Sequence, residues 1–227
     1  MRQEPGRPRV VVLKTQYRQM RNYNYLIVDP RSGQAVAVDP AWEMDKIDSA
    51  LAQTGASLRG ILLTHSHPDH IDLAAPLSEK HGCPVWMSHR EIATSGFSCR
   101  RLTGIDAVPR YVGEMEIQPV FTPGHTPGCL CYLIDDSLFT GDVLFAEGCG
   151  LCPDLQSAYA MFSSLQYLKA LIGPDTRVFP GHSYGKPPGQ PFVDLLRDNM
   201  YLQFSDRESF AAFRLRRLSG GTSIFGV

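Results

Sequence analysis

The residues best suited to chemistry in this chain are crowded into one short run. Positions 64–70 read Thr-His-Ser-His-Pro-Asp-His, directly after the apolar residues 60–63. Histidines this close repel one another when protonated, and each needs a hydrogen-bond partner when it is buried and neutral. A metal ion such as zinc resolves both problems, because neutral imidazole nitrogens and carboxylate oxygens are its ligands. The alternative is a solvated turn that is rich in histidine by chance, although the chain has seven histidines in 227 residues.

Three later segments each place one metal-competent residue beside a glycine. These residues are His125, Asp142 and His182, and each comes after a strand-like stretch. Glycine lets the backbone turn sharply, and turns at strand ends can bring side chains together from distant parts of the chain. Any one of these pairs is a weak signal. The four elements together predict a single metal centre.

This set of motifs resembles the ligand set of the metallo-β-lactamase superfamily, over nearly the whole chain from about Tyr25 onward. Within the superfamily the chain is similar to glyoxalase II-like thioester hydrolases, through residues 140–145, 148–150 and 181–184. A closer resemblance is to the metal-dependent hydrolases of trans-acyltransferase polyketide gene clusters, which make antibiotics. That resemblance rests on residues 39–42, 147–152 and 180–186.

The resemblance implies a centre with two metal ions that share one carboxylate. The first ion would be held by His65, His67 and His125, the second by Asp69, His70 and His182, and Asp142 would bridge them. Seven ligands exceed the three protein ligands of a usual catalytic zinc site, so two Zn²⁺ ions per chain are expected, with iron or manganese as alternatives. Flavodiiron relatives have a carboxylate where this chain has His67, so the histidine favours the hydrolytic branch.

The implied chemistry is hydrolysis by a hydroxide held between the two ions. Two metals about 3.5 Å apart can activate a water and polarise a carbonyl group, which makes Asp69 and Asp142 the candidate catalytic residues. Three further classes remain open. A hydroxyacylglutathione hydrolase, or glyoxalase II, would use the same ligands. A sulfur dioxygenase would hold one iron with His65, His125 and Asp142. A non-catalytic binding module is the least favoured, because no ligand is missing.

The predicted substrate is an acyl thioester on a pantetheine arm. In glyoxalase II a lysine and a tyrosine that help to hold glutathione stand where this chain has Leu151 and Pro153, although Tyr184 matches a third glutathione contact. We predict that Leu151, Cys152 and Tyr184 bind the substrate. An acyl carrier protein is a candidate partner, and Arg214, Arg216 and Arg217 are candidate contacts for its acidic surface or for a phosphate. A solvated helix face explains the three arginines equally well.

Composition restricts the remaining functions. The net charge of −1 provides no broad basic field for nucleic acid. The sequence has no apolar run long enough to span a membrane and no apolar core of a signal peptide near Met1, so we expect a cytoplasmic enzyme without membrane contact. In that compartment the six cysteines are expected to be free thiols. Cys129 and Cys131 should share a buried strand face, and Cys149 should lie near the active site.

Periodicity predicts a mixed α/β protein in two similar halves. Helices are predicted over residues 43–54, 73–80, 155–172, 192–203 and 206–218, and most of the other apolar stretches read as strands. His81 and His89 are predicted to lie outside the metal centre. The resemblance sharpens this pattern to a four-layer αββα sandwich. We predict one domain over residues 1–227, in which residues 185–227 form a C-terminal helical arm.

Overall fold

The computed structural model describes residues 6–216, which form two six-stranded sheets packed face to face. The first sheet contains β1 (Arg9–Tyr17), β2 (Met20–Val28), β3 (Gln34–Val38), β4 (Ser57–Leu62), β5 (Val85–Ser88) and β6 (Leu102–Ile105). The second contains β7 (Arg110–Val112), β8 (Met115–Phe121), β9 (Leu130–Ile134), β10 (Ser137–Gly141), β11 (Arg177–Pro180) and β12 (Gln190–Pro191). Neighbours in each sheet follow this order, from β1 to β6 and from β7 to β12.

The described residues form seven helices, most of which pack on the outer faces of the sheets. They are α1 (Met44–Thr54), α2 (Pro68–Ile71), α3 (Ala74–His81), α4 (His89–Ser95), α5 (Leu155–Leu171), α6 (Phe192–Asp198) and α7 (Arg207–Arg214). The strands β3 to β6 pair in parallel, and so do β10 and β11, whereas the remaining neighbours are antiparallel. Parallel neighbours need crossover connections, and helices supply several of them. Among the described residues, no helix is both long and apolar enough to cross a membrane.

Three apolar layers separate the four structural layers. Alternation along β2 sends Tyr25 and Ile27 into the space between the sheets, while Leu26 and Val28 face the helices α1 and α3. Phe139 of the second sheet packs against Tyr25 between the sheets, with ring centroids 5.3 Å apart. The third layer lies between the second sheet and the helices α5, α6 and α7. This arrangement confirms the predicted αββα sandwich.

The two cysteines at the start of β9 share one buried face, as predicted. Cys129 and Cys131 are fully buried in the layer under α5, while Leu130 between them points to the other sheet. All six cysteines are free thiols.

The C-terminal arm differs from its prediction in two places. The predicted helix over residues 192–203 is interrupted at Asn199, and a 3₁₀ turn follows at Met200–Leu202. The Asn199 amide donates hydrogen bonds to the carbonyls of Phe145 and Gly148, at 2.9 and 3.0 Å, and its own oxygen caps the turn. The helix predicted over residues 206–218 is α7, which ends at Arg214 because Leu215 leaves the helical conformation.

Three short elements are not predicted by the sequence pattern. The helix α4 and the strands β6 and β7 had no clear periodic signal, because each is at most seven residues long. Arg217 and the end of the proposed arm lie outside the described residues, so the division into one domain over residues 1–227 stays a prediction.

Candidate metal centre

The seven predicted ligands meet at one edge of the two sheets. Residues 65–70 follow β4, and His125, Asp142 and His182 follow β8, β10 and β11. Two backbone hydrogen bonds join these strand ends. The Gly181 N–H donates to the carbonyl of Gly141 at 2.8 Å, between the parallel strands β10 and β11. The Leu130 N–H donates to the carbonyl of Thr64 at 2.9 Å and so connects the two sheets.

Three histidines and one carboxylate form the first group of donors. Nδ1 of His67 lies 3.1 Å from Nε2 of His65 and 3.0 Å from Nε2 of His125. Oδ2 of Asp142 lies 3.5 Å from Nε2 of His125. One donor atom from each residue lies within 4.8 Å of the others, which is a spacing that one metal ion can fill.

Two histidines and two carboxylates form the second group. Nε2 of His182 lies 3.4 Å from Oδ2 of Asp69 and 3.4 Å from Oδ2 of Asp142. Nε2 of His70 lies 3.4 Å from Oδ1 of Asp142 and 3.6 Å from Oδ2 of Asp69. Asp142 therefore stands between the two groups, in the position that the resemblance assigns to a bridging ligand.

The donor atoms fit a metal because two of them make no hydrogen bond. Nε2 of His70 and Oδ1 of Asp142 are buried, and within the described part of the chain they form no hydrogen bond, although they face each other at 3.4 Å. A buried polar atom without a partner costs roughly 1–3 kcal/mol. A cation between these atoms would satisfy both of them. The residues present therefore fit a bound metal ion.

The pKa shifts separate the two groups. Burial, together with the nearby charge of His70, holds the pKa of His65 well below its usual value, and burial with the neighbouring His125 lowers the pKa of His67. These imidazoles are neutral and offer lone pairs, as metal ligands must. Burial acts against ionisation of Asp142, but the charges of His182 and His70 outweigh it and lower the pKa of that carboxyl.

The second group attracts positive charge. Burial alone would lower the pKa of His182, yet Asp142 and Asp69 outweigh burial and raise it to about 10. The pKa of His70 is likewise raised, against burial, by Asp142 and Asp39. Because a metal ion and a proton compete for the same ring nitrogen, a cation would replace these protons.

Outer partners orient the imidazole rings. Nδ1 of His70 lies 2.9 Å from Asp39, Nδ1 of His125 lies 2.8 Å from the carbonyl of Leu151, and Nδ1 of His182 lies 3.1 Å from the carbonyl of Arg21. Each of these contacts leaves Nε2 directed into the centre, which is the arrangement that metal-binding histidines usually show.

Sequence reasoning missed two of the residues that support the ligands. Asp39 is buried, has a φ of 47° and accepts hydrogen bonds from the backbone and hydroxyl of Thr64. Asn22 donates to the backbone carbonyl of Asp69 at 2.7 Å and to its carboxylate at 3.1 Å. Asp39 belonged to a motif that carried the family resemblance, but its contact with His70 spans 31 positions and requires the folded chain.

A cavity of about 540 Å³ opens beside the centre. Asp69, Asp142, His125 and His182 line its floor. Its walls come from the hairpin between β1 and β2, from residues 145–151 and from the C-terminal arm. A substrate in this cavity would therefore lie next to the donor groups.

The structure places the three predicted substrate residues differently. Leu151 and Tyr184 line the cavity with 49% and 53% of their surfaces exposed. Cys152 is buried in the layer between the second sheet and the helices, and Cys149 lines the cavity instead. The role of these residues in substrate binding stays a prediction.

The remaining candidate residues also have defined positions. Arg214 lines the cavity and donates to the carbonyl of Gly150 at 2.8 Å, while Arg216 is exposed and packs over the ring of Phe213. His89 pairs with Asp106 at the start of α4, and His81 ends α3, so both lie outside the donor groups.

Comparison with known proteins identifies the family of this chain. The sequence family described as the metallo-beta-lactamase superfamily matches residues 19–97 and 100–182. The chain belongs to this superfamily. It is 45% identical over 211 residues to the "Probable polyketide biosynthesis zinc-dependent hydrolase BaeB" of Bacillus velezensis, covering 92% of this chain and 94% of that protein.

Two other known proteins are also similar to this chain. The hydroxyacylglutathione hydrolase of Brucella ovis is 35% identical over 189 residues, covering 82% of this chain and 72% of that protein. The crystal structure of TTHA1623 in a di-iron-bound form superposes with a TM-score of 0.67 at 27% identity, covering 84% of this chain and 100% of that one.

Proposed function

We propose that this chain is a zinc-dependent hydrolase of polyketide biosynthesis that cleaves acyl thioesters at a centre of two zinc ions. The observation that carries the proposal is the position of Asp142, which stands between both donor groups and also lines the cavity. The name of the relative from Bacillus velezensis supports zinc and the pathway. The di-iron form of TTHA1623 supports a centre with two ions.

The residues at the centre can position a water and a thioester. When bound, the two ions would lower the pKa of a water and polarise the substrate carbonyl. Hydrogen bonds from Asn22 fix Asp69, whose carboxylate lines the cavity and can orient the attacking water by accepting its hydrogen bond. The water adds to the carbonyl carbon, the C–S bond breaks, and the products are a carboxylate and a thiol. A thiol has a pKa of about 8.5, so it leaves as the thiolate without an obligatory acid.

The exposed wall of the cavity favours a pantetheine thioester over a glutathione thioester. Leu151 presents an apolar side chain to the cavity where glyoxalase II has a lysine. Pro153, which is exposed but does not line the cavity, stands where glyoxalase II has a tyrosine. Each absent hydrogen bond to a charged group costs about 1.5–3 kcal/mol. Because about 1.4 kcal/mol is a factor of ten, each loss should weaken glutathione binding at least tenfold.

The first test compares how well the zinc-loaded protein hydrolyses thioesters that differ in the thiol that carries the acyl group. We expect kcat/KM to be higher for an acyl-pantetheine thioester than for lactoylglutathione by about tenfold or more. An acyl carrier protein with the same acyl group should be hydrolysed at least as well as the free pantetheine thioester. If lactoylglutathione is the better substrate by tenfold, the enzyme is a hydroxyacylglutathione hydrolase instead.

Leu151→Lys sharpens the same test. The new ammonium group should raise kcat/KM for lactoylglutathione and lower it for the pantetheine thioester, because it restores one charged contact at the cavity wall. Leu155→Lys is the matched control, since Leu155 is a similarly exposed leucine that does not line the cavity. An equal response of both variants would show that Leu151 does not contact the substrate.

A further inference from the structure

One buried carboxylate outside the donor groups connects the loops that carry three of the ligands. Glu91 lies in the first turn of α4, with 1% of its surface exposed. Its Oε1 accepts hydrogen bonds from the backbone N–H and the hydroxyl of Ser66, at 3.0 and 2.6 Å. Its Oε2 accepts hydrogen bonds from the hydroxyl of Thr126 at 2.7 Å and from the Gly128 N–H at 3.0 Å.

The two oxygens of Glu91 accept hydrogen bonds from different loops of the metal centre. Ser66 lies between His65 and His67, and Thr126 directly follows His125. The carboxylate of Glu91 therefore holds the loop that carries His65 and His67 against the loop that carries His125. These are the three imidazoles of the first group, in which Nδ1 of His67 lies 3.1 Å from Nε2 of His65 and 3.0 Å from Nε2 of His125.

The start of α4 is built to hold Glu91 in this place. The Ser88 hydroxyl accepts a hydrogen bond from the Glu91 N–H at 2.9 Å and donates to the carbonyl of Gly128 at 2.6 Å. A side chain at position 128 would place its Cβ 2.2 Å from the backbone nitrogen of Glu91, so this close approach requires a glycine. The helix and the His125 loop are thus locked together.

Burial of the Glu91 carboxylate costs free energy of desolvation, and hydrogen bonds from neighbouring groups offset that cost. Within residues 6–216, Glu91 forms no ion pair with a lysine, arginine or histidine. Four donors instead occupy its two oxygens, as a buried carboxylate requires. A neutral side chain would avoid the desolvation cost, but it could not accept hydrogen bonds from both loops.

We propose that Glu91 is a positioning residue that sets the spacing of His65, His67 and His125 for their metal ion. The proposal rests on the metal centre proposed above. It deepens that proposal by separating the two ions, because the side-chain oxygens of Glu91 accept hydrogen bonds from Ser66, Thr126 and Gly128 and from neither residues 68–70 nor His182. Loss of the carboxylate weakens metal binding at the three-histidine group and leaves the group of Asp69, His70 and His182 largely unchanged.

The test is the variant Glu91→Gln, titrated with zinc against a competing chelator. Its amide nitrogen cannot accept a hydrogen bond, so one of the two loops loses its anchor. Outer partners of metal ligands are typically worth about 10–100-fold in affinity, and we expect one dissociation constant to rise by that factor while the other changes less than about threefold. Ring-nitrogen NMR of ¹⁵N-histidine protein should assign the weakened site to His65, His67 and His125.

Two further variants keep Glu91 in place and remove single donors. Ser66→Ala and Thr126→Val should each weaken the same site by less than Glu91→Gln does, and they decide the question if Glu91→Gln fails to fold. Glu43→Gln is the matched control, because Glu43 also accepts a distant backbone N–H, that of Gln16, but touches no ligand loop. It should leave both dissociation constants unchanged.

A purely structural role makes a different prediction. It would lower the melting temperature of the metal-free protein and weaken both sites in parallel. That result, or unchanged constants in Glu91→Gln, would overturn the proposal. If the wild-type protein binds a single ion, the proposed pair of ions fails, yet the effect of Glu91→Gln on the three-histidine site can still be measured separately.

Discussion

Asp142→Ala is expected to lose metal from both halves of the centre and to lose its hydrolytic activity. The carboxylate lies 3.4–3.5 Å from ring nitrogens of His70, His125 and His182, which belong to both donor groups. Removing it takes a ligand and a negative charge from each ion at once. Outer partners alone are worth about 10–100-fold in affinity, so the loss of a shared direct ligand should exceed that for both ions.

Elemental analysis of the purified variants checks this expectation. His125→Ala and His182→Ala remove one ligand from one group each, so each should retain more metal than Asp142→Ala. Asp106→Ala is a suitable control, because Asp106 also pairs with a histidine, His89, but lies outside the donor groups. Retention of one tightly bound ion by Asp142→Ala would show that the carboxylate does not serve both groups.

The second large effect distinguishes an activated water from a cysteine as the nucleophile. His182→Ala and His67→Ala should lose activity, whereas Cys149→Ala and Cys152→Ala should keep most of it. Burial raises the pKa of the Cys149 thiol far above its usual value and raises that of Cys152 to about 11. At neutral pH both groups are thiols, and the thiolate is the nucleophilic form of cysteine.

Mass spectrometry after rapid quenching provides the direct measurement for the nucleophile. No acyl group should be found on Cys149 during turnover of an acyl-pantetheine thioester. A covalent acyl-enzyme on this cysteine, formed and consumed at the rate of turnover, would contradict hydrolysis by water. Loss of activity in Cys149→Ala without such an adduct would instead indicate a packing role in the cavity wall.

The seven residues that meet in the candidate metal centre could be predicted to converge because each lies in a short sequence motif that contains a metal-binding side chain. Positions 65–70 combine four donors, and His125, Asp142 and His182 each follow a glycine after a strand. The alternation of apolar residues in β2 and β9 likewise determines which side chains enter the space between the sheets. These signals are local, so they can be recognised in the sequence without knowledge of the fold.

The supporting residues could not be predicted, because their partners are distant in the chain. Glu91 reaches Ser66 across 25 positions and Thr126 across 35, and it lies on a helix with no clear periodic signal. Asn199 interrupts a helix through carbonyls more than 50 positions away. The apolar spacing predicts a continued helix there, but the Asn199 side chain caps a new turn at the Tyr201 N–H and forms these tertiary hydrogen bonds.

The most direct test of the proposed centre is the metal content of the wild-type chain. The protein should be purified under zinc-replete conditions, freed of loosely bound metal, and measured by elemental mass spectrometry against its protein concentration. Two donor groups that share Asp142 predict close to two zinc ions per chain. At most one ion per chain, or a single iron in place of zinc, would contradict the account.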